Sequence, residues 1–143
     1  MKNIMLLLGL TFSFFTSNAQ SFFYIENNNP TEKSIREELI KASQYITQSP
    51  LASDYIIRAD AGIQDGYRVL NLKMTVQDSI SLKTIFQANE DYTISVVNAN
   101  TRIFLRMVIS AFIDKNVNQI ITCAREDHQN AQMKFLKARK DKT

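Results

Sequence analysis

The sequence predicts an α+β domain: a small antiparallel sheet of three to four strands packed on one face by helices, in the order strand, helix, three-stranded meander, long helix, C-terminal helix. Three observations lead there. Leu70, Leu72, Met74 and Val76 alternate with Asn71, Lys73, Thr75 and Gln77; a half-solvated antiparallel sheet produces that pattern, whereas a parallel sheet covered on both faces reads as a continuous apolar run. Asp65-Gly66 stands before that stretch, and glycine tolerates the positive φ that a tight hairpin turn demands. Ile94 to Ile113 repeats apolar residues at helical spacing.

The chain opens with a secretory signal: Lys2 supplies the charged region, Ile4 to Phe15 the apolar region, and Ser17-Asn18-Ala19 a small-x-small cleavage site. Residues 1–19 are therefore expected to be removed near Ala19-Gln20, leaving residues 20–143 as one α+β domain, periplasmic or secreted, with no membrane span. Lys2 is the one charged residue removed, so the net charge of +3 falls to +2.

Phe22 to Ile25 reads as a first strand. Asn29, Pro30 and Glu32 then have the elements of a helix start: a capping Asn, a proline in the first helical position and an acidic residue three after the cap. Ile35, Leu39, Ala42 and Ile46 continue at helical spacing, and Pro50 ends the helix. Asp54 to Ala61 alternates as a strand, the turn at Asp65-Gly66 leads into the strand from Leu70 to Gln77, and after a turn at Asp78-Ser79 a third strand runs from Leu82 to Asn89.

Asp91 is placed to cap the long helix. At about 100° per residue, Ile94, Val97, Thr101, Phe104, Leu105, Val108 and Phe112 form the stripe that faces the sheet, while Val96, Ile103 and Met107 lie on the opposite side. That second apolar face requires a second cover. Either the C-terminal segment folds back over it, or a subunit or partner protein does, which makes Val96, Ile103 and Met107 the candidate partner-binding residues. Asn116-Val117-Asn118 is expected to break the helix, because asparagine tolerates the left-handed conformation that ends helices. A last helix then carries Val117, Ile120, Ile121, Ala124, Ala131, Phe135 and Ala138 on one stripe.

Most catalytic classes are hard to build here. The only histidine, His128, and the only cysteine, Cys123, stand five residues apart, about 140° around a helix, so they form no nucleophile–base dyad. One His and one Cys do not make a zinc or iron site either. A free thiol outside the cytosol is buried as a small apolar group or pairs between chains. Three glycines in the whole chain give no phosphate cradle and no Gly-x-Ser-x-Gly elbow, so no cofactor is expected. Paired carboxylates are the chemistry least easily excluded, with Asp54, Asp60, Asp65, Asp78, Glu90 and Asp91 near strand ends.

The basic charge is concentrated in residues 134–143, where Lys134, Lys137, Arg139, Lys140 and Lys142 oppose Asp141. These five are the candidate anionic-surface residues; the ordinary alternative is a solvated helix end with cations where the helix dipole favours them. Export argues against a nucleic-acid partner.

The phrase SDYIIRADAG leading into LNLKMTVQDSISLKTIFQANE resembles the small periplasmic α+β modules of Gram-negative envelope assembly. These are the N-terminal domain of the Tol system's propeller protein, the curli secretion lipoprotein and the lipoprotein activators of peptidoglycan synthases. The resemblance lies in an aspartate–aromatic strand start at Asp54-Tyr55, a strand ending in Asp78 and a return strand, over about half of the mature chain. This sequence departs from them in having no cysteine at the cleavage point and few glycines. The resemblance implies docking to another envelope protein and carries over no catalytic residue. The expected function is thus an exported, non-enzymatic binding or assembly module of the bacterial cell envelope, with an unknown envelope protein or a second copy as partner. A small carboxylate-dependent hydrolase of a cell-wall or glycan substrate is the first alternative, and anionic-surface binding through the basic tail is the second.

Overall fold

The computed structural model describes residues 20–64, 66, 68–94 and 101–141. Five strands form one sheet: β1 (Phe22–Ile25), β2 (Tyr45–Thr47), β3 (Tyr55–Gln64), β4 (Val69–Asp78) and β5 (Thr84–Thr93), in the order β2-β1-β3-β4-β5. Two helices accompany it, α1 (Pro30–Lys41) and α2 (Thr101–Lys140). The α+β class is as predicted, but the sheet is mixed. β3, β4 and β5 form the antiparallel meander, whereas β1 runs parallel to both β2 and β3.

The start of α1 follows from the sequence signal. Asn29 Oδ1 accepts the Glu32 amide at 2.9 Å, and its Nδ2 donates to Ala59 O at 2.8 Å. The Glu32 carboxylate is buried, accepting from the Asn28 amide at 2.8 Å and the Ala59 amide at 3.3 Å. The cap therefore fastens the helix entrance to β3 as well as satisfying the orphan Glu32 amide of the first turn.

The end of α1 corrects the sequence reading. The helix stops at Lys41, Ser43 takes φ 58, Gln44 N donates to Leu39 O, and Ser43 N donates to Ile40 O. That is a Schellman arrangement with serine in the position glycine usually occupies, so the sequence carried no stop signal there. Ile46 consequently lies on β2, three residues paired in parallel with β1, and Pro50 begins a separate short 3₁₀ turn.

The meander forms around the expected turns, with Gly66 at φ 61 between β3 and β4. Its third strand lies further along than the alternation suggested, at Thr84–Thr93 instead of Leu82–Asn89. Asp91 is thus a strand residue and no helix cap, accepting from Asn71 Nδ2 at 2.6 Å across β4 and β5. Strand pairing with β4 continues to Val69–Thr93 and decides where β5 ends.

Both helices pack on one sheet face. Phe23, Ile25, Tyr55, Ile57, Leu70, Leu72, Met74 and Val76 point into a common core with Ile35 and Leu39 of α1 and Phe112, Ile113, Val117, Ile120 and Ala124 of α2. The opposite face carries Arg58, Lys73, Gln87 and Asn89 in water, with Phe22 stacked on Tyr45 at a centroid distance of 5.3 Å.

The largest departure from the sequence reading is α2, one unbroken helix of 40 residues, about 60 Å long. Asn116 does not break it: buried inside the core, its Nδ2 donates to Phe112 O at 2.7 Å, one turn back on the same helix. An asparagine whose amide is satisfied by its own helix has no need of the left-handed conformation. With no turn at Asn116, the C-terminal segment continues away along the axis and does not fold back over Ile103 and Met107.

Candidate docking surface

Of the candidate partner-binding residues, Ile103 is 59% and Met107 67% exposed on the first turns of α2, while Val96 lies outside the described residues. Phe104, Leu105, Val108 and Ile109 on the other side of the same turns are packed against the core. Among the described residues, then, these turns of α2 carry apolar side chains on two sides, and Ile103 and Met107 are exposed.

A hydrogen-bonded clasp joins α2 to the sheet just beyond its last core residue, Ala124. The Tyr55 hydroxyl lies 3.0 Å from Asp127 Oδ2 and 3.1 Å from Ala124 O, its two acceptors. Burial first, and the Asp127 carboxylate second, push the Tyr55 hydroxyl pKa well above the ordinary phenol value. Beyond this clasp residues 129–141 are all exposed, and from Ala124 to Lys140 the axis extends about 24 Å. The stripe that packed the sheet through Ile120 and Ala124 continues here as Ala131, Phe135 and Ala138, all exposed among the described residues. Four of the candidate anionic-surface residues, Lys134, Lys137, Arg139 and Lys140, sit on this free end; Lys142 is outside the described residues. An open notch of about 1240 Å³ separates the free end from the β4–β5 turn, with those four cations and Lys83 in its lining.

The candidate carboxylates are brought near one another only in part, and those described are engaged in holding the fold. Asp54 and Asp78 meet at the ends of β3 and β4, where Ser79 N donates to Asp54 O. Asp54 Oδ2 accepts the Phe22 amide at 2.9 Å, and Asp78 Oδ1 accepts the amides of Ile80 at 3.1 Å and Ser81 at 2.6 Å. The Ser81 amide in particular holds the Asp78 carboxyl below its usual range. Asp60 Oδ1 accepts the Ala61 amide. Glu90 takes the Tyr92 hydroxyl at 2.6 Å and Lys115 Nζ at 2.7 Å, and Lys115 lowers its pKa. Desolvation, with Glu90 next, raises the Tyr92 hydroxyl to about 12. Asp65 lies outside the described residues.

Among the described residues no group of three His, Cys, Asp or Glu side chains is placed to hold a metal ion. His128 lines a shallow depression on the free end of α2 with Gln132 and Phe135. Cys123 is half-buried, and burial, helped by the Glu126 charge, pushes its thiol pKa up. No described helix is long and apolar enough to cross a membrane. The sequence analysis missed the notch, because its two walls lie some fifty residues apart in the chain; the signal was present in the exposed apolar turn Ile80–Leu82.

No family model matches the sequence, and no curated protein matches it. The fold is similar to that of protein XCC0632 from Xanthomonas campestris, of family DUF330, with a TM-score of 0.54 at 11% identity. The likeness covers 69% of this chain and 63% of that one, so this chain spans less than two thirds of its length. Two further structures are similar at lower scores. They are the rare lipoprotein B from Shewanella oneidensis, with TM-score 0.45, 12% identity and 80% and 99% coverage of the two chains, and a minor lipoprotein from Acinetobacter baumannii, with TM-score 0.47, 14% identity and 73% and 95% coverage.

Proposed function

We propose that the protein is an exported, non-enzymatic docking module of the bacterial cell envelope that offers the outer face of α2 to a partner protein. The observation that carries this reading is the exposure of Ile103 and Met107 on turns whose other side is packed into the core. An isoleucine and a methionine one turn apart, with no described segment of the chain returning over them, make an apolar anchor of the kind that recognises a groove or a matching helix. Export is supported by Lys2, the apolar run from Ile4 to Phe15 and the Ser17-Asn18-Ala19 site. The docking role is the one implied by the resemblance to the Tol, curli and synthase-activator modules. Against a carboxylate hydrolase stands the engagement of Asp54 and Asp78 by backbone amides.

A photo-crosslinking residue at position 107 in the exporting cell tests the reading. A discrete adduct with one envelope protein, or with a second copy, that disappears in Ile103→Glu supports it. Absence of any adduct sinks it, as does hydrolysis of a glycan panel that Asp54→Asn or Asp78→Asn abolishes.

A further inference from the structure

The end of the molecule opposite to Ile103 and Met107 along α2 plays no part in that docking. Two elements distant in the chain bring exposed apolar side chains and cations together there. On the β4–β5 turn Ile80 is 93% exposed, held outward because Asp78 accepts its amide and that of Ser81. Leu82 follows, exposed and in the left-handed region at φ 58, and then Lys83. On the free end of α2 Met133, Phe135 and Leu136 are exposed among Lys134 and Lys137. Turn and helix face one another across the notch.

We propose that this end docks on an anionic lipid surface, the cations meeting headgroup phosphates while Ile80, Leu82, Phe135 and Leu136 enter the boundary of the acyl layer. Charge makes the occupant anionic. Lys83, Lys134 and Lys137 line the notch against Asp78 and Asp127, and both carboxylates already accept hydrogen bonds within the fold. The distribution of apolar groups makes it a lipid surface in preference to an acidic polypeptide. At about 100° per residue Met133, Phe135 and Leu136 spread over roughly 160° of the helix circumference, whereas a partner segment in a groove reads a single stripe. Leu136 lines the notch, while Phe135 lies with His128 and Gln132 in the second depression, so a segment in the notch would leave that ring in water. A headgroup layer surrounds a helix end on all sides, and the lysine stems let their ammonium groups reach phosphate while the apolar tips go deeper. The end lies in the interface and spans nothing.

The test is co-sedimentation of the protein, purified after export, with phosphatidylglycerol–phosphatidylcholine vesicles and with pure phosphatidylcholine vesicles. Binding is expected to the anionic vesicles alone and to be lost between about 0.1 M and about 1 M salt. Lys134→Gln and Lys137→Gln are each expected to weaken partition about fivefold. Ile80→Asp and Leu136→Asp, on two separate elements, are each expected to weaken it at least about tenfold, with melting temperature unchanged because neither side chain touches the core. No co-sedimentation with anionic vesicles, or equal binding to neutral ones, overturns the proposal. So does binding that the lysine variants reduce and Ile80→Asp leaves intact, which is the behaviour of a nonspecific polycation. Binding of a polyglutamate peptide in place of vesicles assigns the end to an acidic protein instead. The Ile103 and Met107 variants leave all these readings unchanged, so this inference and the docking function fail independently.

Discussion

Glu32 is a buried carboxylate kept in place by the amides of Asn28 and Ala59. Replacing it by alanine strands the buried Ala59 amide and frees that of Asn28, and Glu32→Ala is expected to cost about 2 kcal/mol in chemical denaturation. Tyr55 acts in the same way at the other end of the domain, where its hydroxyl joins β3 to α2 through Asp127 and Ala124. Tyr55→Phe is expected to cost about 1–2 kcal/mol. The capping role of Asn29 and Glu32 was legible in the sequence, because the two residues act within a single turn. The bond from Tyr55 to Asp127 was not, since nothing local marks a pair separated by 72 positions.

At the scale of the element, α2 has two regimes. As far as Ala124 its turns pack against the sheet, and beyond His128 its described residues are exposed. A proline in each half should separate them. Asn116→Pro falls between Ile113 and Ile120, within the core contact, and costs about 3 kcal/mol or more. Asn130→Pro falls where no later residue is buried, so the far-UV helical signal drops while the denaturation midpoint moves by less than about 0.5 kcal/mol. Equal losses in the two variants would show that the free end contributes to the core. The apolar periodicity of Ile94–Ile113 and of the stripe from Val117 to Phe135 was readable, but whether the two join was not. Asn116 is equally compatible with a helix end and with a side chain bonding its own helix, and packing between Phe112 and Val117 decides for the second.

For the whole molecule, the balance of shifted groups sets a window of maximum stability. Asp78 and Glu90 have folded-state pKa values lowered by the Ser81 amide and by Lys115 respectively. They bind protons more readily when unfolded, so their contribution is present above the ordinary carboxylate pKa of about 4 and is lost as pH falls below it. Tyr55 and Tyr92 have raised values, caused first by burial. Their contribution is present below the ordinary phenol pKa of about 10 and is lost as pH rises through and beyond it. The Cys123 thiol, raised by burial, begins to add to the alkaline loss near its ordinary value of about 8.5, so urea midpoints should be level from about pH 5 to about pH 8 and fall on both sides. Asp78→Asn should flatten the acid limb and Tyr55→Phe part of the alkaline one. A midpoint that rose toward low pH would contradict the assigned signs.

By itself the sequence determined the α+β class, the meander, the capped first helix, the exposed polar face of the sheet and the scarcity of catalytic side chains. All of these rest on local spacing, since alternation, capping and turn chemistry act over a few residues. The tertiary structure decided the fifth strand, the parallel pairing of β1 with its two neighbours, the continuity of α2 and the placing of Ile80 and Leu136 on one notch. Each depends on which distant segments pack together. The candidate site residues Ile103 and Met107 were legible as an apolar face, but only the straight course of α2 past Asn116 showed that no part of the described chain covers them.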